Sequence, residues 1–334
     1  MTSGFSIEIL DLRHFSARNL APLLEAEAEL WRRRLHWDYS ASSKLLMQYI
    51  DNHMLPGFVA LEEGRIKGYT FCLYESTKAV IGDVFALPSS EFSSPSLSEN
   101  EEQSSGVEET LLTHLFELLL NSPQVNRVES QLLLQPSGFQ AGAFRAAGFQ
   151  SFGRLFLVQP LDGFWSAPRI ELPRNLELRA WRDEDLGPAA QLICEAYNNH
   201  PDSAINDQYR SPHGSLRFVS NIVRYSGCGT FSAQVSHLVV DRTSQERVAL
   251  VLGSRISPES GHITQICVHP RYRRRGIGRM LLSLAAHRFL LQGVREVSLT
   301  VTVTNSHAVE LYRSEGYTCS HQFDAAVWER GKGN

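Results

Sequence analysis

The sequence is poor in the residues that staple a fold or ligate a metal. Five cysteines are scattered over 334 residues and no two stand as Cys-x-x-Cys, so neither a disulfide framework nor a structural zinc site organises the chain. No metal is expected. Long apolar runs are also missing. Nothing approaches the ~18 residues that cross a bilayer, and the opening MTSGFSIEILDLRHF has no apolar signal core. The expectation is a cytoplasmic protein with no membrane partner. Charge of one sign is lacking as well: 32 Lys and Arg face 36 Asp and Glu, a formal net charge of −4. A chain so balanced does not attract nucleic acid, and none is expected as a partner.

What remains is a globular composition, 43% hydrophobic and 20% charged, at a length sufficient for two ordinary domains. Two stretches break the pattern. The segment 89–105 holds eight serines without periodicity and reads as an acidic surface loop. The segment 159–175 holds three prolines and a glycine between strand-like runs and reads as an interdomain connection. The expected organisation is a domain over 1–165, a linker over 166–174, and a second domain over 175–334. Each half shows the same order: strand, helix, strands, helix, strand, short helix, closing strands. This is an α/β (α+β) pattern of mixed sheets flanked by helices, repeated once in tandem.

The densest chemical signal is HPRYRRRGIGRML, in which Arg271, Arg273, Arg274, Arg275 and Arg279 surround Gly276 and Gly278. It begins at the end of a strand and opens a helix. Backbone N–H groups and the dipole at such a helix start bind phosphate, glycines allow close main-chain approach, and arginines neutralise further charge. A pyrophosphate-bearing ligand is therefore expected. The loop lacks the Lys-Ser or Lys-Thr of a P-loop and the third glycine of a dinucleotide fingerprint. A plain basic surface remains open on the cluster alone.

About thirty residues on, after the next strand, comes NSHAVELYRSEGY. With it the second half, over about residues 175–330, resembles the GNAT superfamily of N-acetyltransferases. That family's signature V-x-P-x-x-[RQ]-x-x-G-x-[GA] is met by Val268, Pro270, Arg273, Gly276 and Gly278. Its next motif, N-x-x-A-x-x-L-Y-x-x-x-G-[FY], is met by Asn305, Ala308, Leu311, Tyr312, Gly316 and Tyr317. The resemblance implies two GNAT-type, mostly antiparallel sheets, acetyl-CoA as cosubstrate, and direct acetyl transfer to a primary amine of a small molecule or peptide. It implies that the loop Arg273, Arg274, Arg275, Gly276, Ile277, Gly278 and Arg279 cradles the pyrophosphate. Main-chain groups of Ile266 and Val268 would hold the pantetheine on a strand splayed from its neighbour, with the Val268 amide as first candidate donor to the oxyanion. Asn305 would contact the cofactor, and Tyr312 would protonate the departing thiolate. A phenol of ordinary pKa about 10 suits that donation.

For the general base, His262 lies six residues before Val268. On an unbulged strand this even spacing leaves both on one face; a solvent-facing strand-end His is the competing reading. Glu195, Asp202 and Asp207 fall in the expected acceptor region, and nothing in the sequence separates them. Cys267 should point away from the Ile266 and Val268 side chains.

Aligning the halves places Glu108 and Glu109 opposite Gly278 and Arg279, Gln103–Ser105 opposite Arg273–Arg275, and Phe144 opposite Tyr312. Carboxylates repel a phosphate, and Phe144 has no proton to give. The first half is thus expected to be a degenerate GNAT-like domain that shapes or supports the second. A non-catalytic acyl-CoA-binding or sensor protein, and a structural protein with both halves decayed, are the rival readings. A monomer or a homodimer is expected.

Overall fold

The computed structural model describes residues 7–87, 106–161, 172–225 and 227–331. The Ser-rich segment 89–105 and most of the expected linker lie outside the described residues. By contacts the chain divides into two compact units, neither of them continuous in sequence. One comprises Met1–Leu35, Tyr39–Phe152 and Phe323–Asn334; the other comprises His36–Asp38 and Gly153–Gln322.

The first unit contains β1 (Ile7–Asp11), α1 (Ala17–Leu35), α2 (Ser40–Asp51), β2 (Gly57–Glu62), β3 (Arg65–Glu75), β4 (Lys78–Ala86), α3 (Gly106–Leu120), β5 (Arg127–Gln131), α4 (Ala141–Ala146) and the start of β6 (Gln150–Pro160). Strands β1 to β4 pair antiparallel in sequence order, and β4 pairs parallel with β5. The second unit holds the rest of β6, then β7 (Leu176–Ala180), α5 (Leu186–Ala196), α6 (Asp202–Ile205), α7 (Pro212–Arg224), β8 (Thr230–Phe231), β9 (His237–Asp241), β10 (Arg247–Arg255), β11 (Ser260–Val268), α8 (Ile277–Leu290), β12 (Glu296–Thr302), α9 (Ser306–Ser314) and the start of β13 (Thr318–Glu329). Its strands run β6-β12-β11-β10-β9-β7, with β8 against β10. Only the β11–β12 pair is parallel among those registered.

The closing strands are exchanged between the sequence halves. Residues 154–160 of β6, which follow the short helix of the first half, pair with β12 in the second unit. Residues 325–329 of β13, which follow α9, pair with β5 in the first unit. The linear partition at 165–175 misses this exchange. Hydrophobic alternation identifies a strand but not the sheet that a terminal strand joins.

In the second unit, Val251, Ile263, Val297, Leu299 and Val301 pack against Ile277, Leu281, Ala285 and Phe289 of α8. The opposite sheet face carries Leu238, Leu250, Leu252 and Cys267 against Ala189, Ile193, Val219 and Ile222 of α5 and α7. Covered on both faces, β10 is apolar almost throughout. Gly253 and Gly261 make room for Phe289: a Cβ on Gly261 would lie 2.6 Å from its ring. No helix among the described residues is long and apolar enough to cross a membrane, and none of their side chains form a group of three or more His, Cys, Asp or Glu arranged to hold a metal.

Candidate active site

Strands β11 and β12 pair only from Ser260↔Glu296 to Ile263↔Leu299, although β11 continues to Val268 and β12 to Thr302. Beyond Ile263 the two strands part. On its other edge β11 keeps its register with β10 through Cys267↔Leu250 and Val268↔Ala249, and the His269 N–H bonds the Val248 carbonyl at 2.8 Å. Antiparallel pairs alternate in hydrogen bonding, so His269 and Cys267 direct their main-chain groups at β10. Ile266 and Val268 therefore direct theirs into the gap. Their side chains pack on the α8 side and Cys267 on the other.

The gap leads to the start of α8. Arg274 and Gly276 adopt left-handed φ angles of 63° and 76°, and two such residues around Arg275 turn successive amides toward a common point. Gly276 caps α8 with no side-chain bond, which leaves the first-turn amides available to an anion. The arginines divide the labour. Arg273 braces the loop, donating to the Val268 carbonyl at 3.1 Å and the Ala196 carbonyl at 2.7 Å. Arg279 pairs with Glu315 at 2.8 Å. Arg275 lies over the Tyr272 ring and donates to the Arg271 carbonyl. Arg274 lies 3.2 Å from His307 Nε2. Asn305 caps α9, accepting from the Ala308 amide at 3.4 Å, and its amide nitrogen lies 3.4 Å from His200 Nε2.

The even-spacing expectation for His262 fails. A β-bulge at Thr264 shifts the register between Gly253↔Ile263 and Leu252↔Gln265, and one extra residue reverses which face follows. His262 consequently lies on the face opposite the Val268 side chain, together with Gln265 and Cys267. The Ser298 hydroxyl donates to the Gly261 carbonyl at 3.1 Å, so His262 Nδ1–H donates to Ser298 Oγ at 2.9 Å and Nε2 keeps the lone pair. Trp37 and Phe156 flank the ring. Burial pushes the imidazole pKa down to about 4, which leaves it neutral and weakly basic.

That depression makes a stability prediction. Between pH 6.5 and 4 the unfolded chain binds a proton that the folded site refuses, so stability is complete above 6.5 and falls toward pH 4. The loss amounts to about 3 kcal/mol at 1.36 kcal/mol per pH unit. Between pH 6.5 and 4 His262→Gln should lose less stability than wild type by this amount; equal losses would contradict it.

Tyr312, on α9, packs in the α8-side core, yet its hydroxyl feels Asp202, Arg154 and Cys267 from the other face. Burial first, then the Asp202 charge, raises its pKa, with Arg154 opposing. On that opposite face Thr302 Oγ1 donates to Asp202 Oδ1 at 2.6 Å and accepts from Arg154 Nη1 at 3.0 Å. Arg154 falls on β6, outside the span in which motifs were found, and its role had no sequence signal beyond strand alternation. Gln265 did have one, as a polar residue inside the apolar run ITQICV. Of the acceptor-side carboxylates named from sequence, Asp202 meets this network; Glu195 lies 3.6 Å from His269 Nε2.

The first unit repeats the bulge and the splay. Strand β4 pairs with β5 only through Ile81↔Ser130, and its register with β3 shifts at Gly82. Val84 thereby stands where Ile266 stands in the second unit. Its main-chain groups are already taken: Asp83 Oδ1 accepts the Val84 N–H at 2.7 Å and Gln135 Nε2 donates to the carbonyl at 2.8 Å. Asp83 also meets the fully buried Glu27, whose carboxyl is pushed up by burial and by the Asp83 charge. Glu108 and Glu109 occupy the first turn of α3, and Phe144 packs against Phe116 and Phe149.

Residues 194–317 match the model of the acetyltransferase (GNAT) family. The chain carries a GNAT domain. Over 81 residues it is 31% identical to the [ribosomal protein bS18]-alanine N-acetyltransferase of Salmonella typhimurium, a match covering 24% of this chain and 55% of that protein, so the chain spans about half of its curated relative. Two solved structures share the fold over nearly the full length. A GCN5-related N-acetyltransferase from Sphaerobacter thermophilus is 17% identical at a TM-score of 0.61, covering 100% of this chain and 98% of that one. A tandem GNAT protein from the clavulanic acid biosynthesis pathway is 14% identical at 0.58, covering 98% and 100%. At these identities the likeness establishes the fold alone.

Proposed function

We propose that the second unit is an acyl-CoA-dependent N-acyltransferase that moves the acetyl group of acetyl-CoA directly to a primary amine. The carrying observation is the gap between β11 and β12, with the Ile266 and Val268 main chain facing into it and the uncapped start of α8 at its mouth. Pantetheine would bond the two strand residues as a surrogate strand, and the pyrophosphate would sit on the amides from Arg274 to Arg279. The neutral amine attacks the thioester carbon; the carbonyl oxygen becomes an oxyanion facing the Val268 N–H. The C–S bond then breaks, and Tyr312 donates a hydrogen bond to the leaving thiolate. His262 is assigned the amine proton. As a weak base it takes that proton from the tetrahedral adduct, where the nitrogen is acidic, rather than from a free ammonium.

The first unit is proposed to hold no acyl-CoA, because Val84 is capped and glutamates sit at the start of α3. Release of CoA thiol, followed with a chromogenic disulfide across small amines, amino acids and peptides, tests the activity. Amine-dependent release is expected. Acetyl-CoA binding with no release for any acceptor would leave a binding module instead.

A further inference from the structure

The sheet face opposite α8 holds two buried nitrogen donors that no protein atom satisfies. Gln265 is 6% exposed, and its Nε2 has no hydrogen-bond partner. Arg154 Nε is likewise buried and unpaired. Buried donors are nearly always satisfied, so an orphan at the strand gap points to a ligand. The Gln265 amide is oriented: Tyr197 donates its hydroxyl to Oε1 at 3.4 Å, which turns Nε2 away from that tyrosine.

Asp202 joins this neighbourhood by contact: the Tyr197 that holds Gln265 meets the His200 ring at 4.9 Å, and His200 lies beside Asp202. It is held by a relay. Arg154 Nη2 and Nη1 donate to Thr300 Oγ1 at 3.1 Å and Thr302 Oγ1 at 3.0 Å. Thr302, its lone pair engaged, sends its own proton to Asp202 Oδ1 at 2.6 Å. Asp202 Oδ2 is left 3.8 Å from His200 Nδ1. That nitrogen accepts the Asp202 N–H at 3.2 Å, and burial lowers the His200 pKa, so it offers no cation. The stacked rings of Tyr197 and Tyr209 stand 4.2 Å apart beside an open cleft of about 530 Å³ that they line with Ser203 and Arg210.

We infer that Asp202 binds the ammonium of the arriving acceptor, which gives one proton to the water of the open cleft before the neutral amine attacks, and that Gln265 Nε2 donates to an oxygen next to that amine. The acceptor class is therefore an α-amino carbonyl compound, either an amino acid derivative or a peptide N-terminus, with its remainder in the cleft beside Tyr197 and Tyr209. The inference rests on the N-acyltransferase reading. Arg154 and Thr302 are positioning residues for Asp202. A simple alkylamine would satisfy Asp202 and leave Gln265 unpaired, and sites built to hydrogen-bond a substrate reject analogues that lack the group.

The experiment compares alaninamide with isopropylamine, which differs by a methyl in place of the carboxamide, in kcat/KM and alongside the Kd of acetyl-CoA. Comparing each acceptor between variant and wild type cancels the difference in amine basicity. Gln265→Leu should lower kcat/KM for alaninamide at least tenfold and leave isopropylamine within twofold. Asp202→Asn should lower both at least thirtyfold, and Thr302→Val both by less. Acetyl-CoA affinity should stay unchanged in all three, which also reports an intact fold. Equal losses for the two acceptors in Gln265→Leu, or no loss in Asp202→Asn, would overturn the inference while leaving the transferase standing. No wild-type turnover of alaninamide would overturn the inference, and no thiol release with any acceptor would overturn the transferase reading and this inference with it.

Discussion

Gly278→Glu is expected to abolish acetyl-CoA binding, weakening it at least a hundredfold, without unfolding the protein. The position has room. A Cβ there meets Leu311 at 3.7 Å and Val268 at 3.8 Å, ordinary contacts, and Gly278 is not among the glycines with positive φ. A carboxylate in the first turn of α8 even favours the helix dipole. Its effect falls on the ligand: a negative charge stands where the proposed cradle would hold the pyrophosphate, and a hundredfold loss corresponds to about 2.7 kcal/mol. The first unit already carries this arrangement, with Glu108 and Glu109 in the first turn of α3. Calorimetric titration of acetyl-CoA into Gly278→Ala and Gly278→Glu separates volume from charge. Near-normal binding by the alanine variant and none by the glutamate variant are expected; tight binding by both would refute the cradle.

The second large effect is on turnover. Tyr312→Phe removes one oxygen and keeps the ring that packs with Val309, Tyr317 and the α8 core. Its raised pKa keeps the phenol protonated throughout the working range and makes complete proton transfer to a thiolate unfavourable. The sequence argument took the ordinary phenol value as a match for the leaving group; burial and Asp202 shift it away. The role proposed for it is therefore a hydrogen bond that strengthens as charge develops on sulfur, and removal of one such donor costs on the order of 10²–10³ in kcat. Kinetics of Tyr312→Phe should show that fall in kcat with acetyl-CoA affinity within about threefold and an unaltered melting temperature. A rate equal to wild type would remove Tyr312 from the chemistry.

The elements that place these residues were legible wherever local chemistry and hydrophobic period agreed. The Gly276 turn into α8, the Asn305 cap of α9 and the tandem order of strands and helices could all be read along the chain. Two kinds of feature could not. The bulge at Thr264 has no marker in the sequence, yet it alone decides that His262 shares a face with Gln265 rather than with the Val268 side chain. The exchange of closing strands brings Arg154 from before the expected linker into the second unit, and sheet membership of a terminal strand is a long-range property. A third omission was avoidable: α7 announces itself with Ser211 accepting from the Gly214 N–H and Pro212 in the first turn, the ordinary signals of a helix start. Between β8 and β9 the chain makes a turn in which the Val235 and Ser236 amides bond back to the Ser232 carbonyl, a break that the apolar run there does not announce.

The central claim is that one of two similar units binds acyl-CoA and the other is closed by its own side chains. The stoichiometry of acetyl-CoA binding to the intact chain, measured by isothermal titration, tests it most directly. One equivalent per chain for the wild type, falling to none in Gly278→Glu, is the predicted result. Two equivalents, or one that survives Gly278→Glu, would place a cofactor in the first unit and contradict the account.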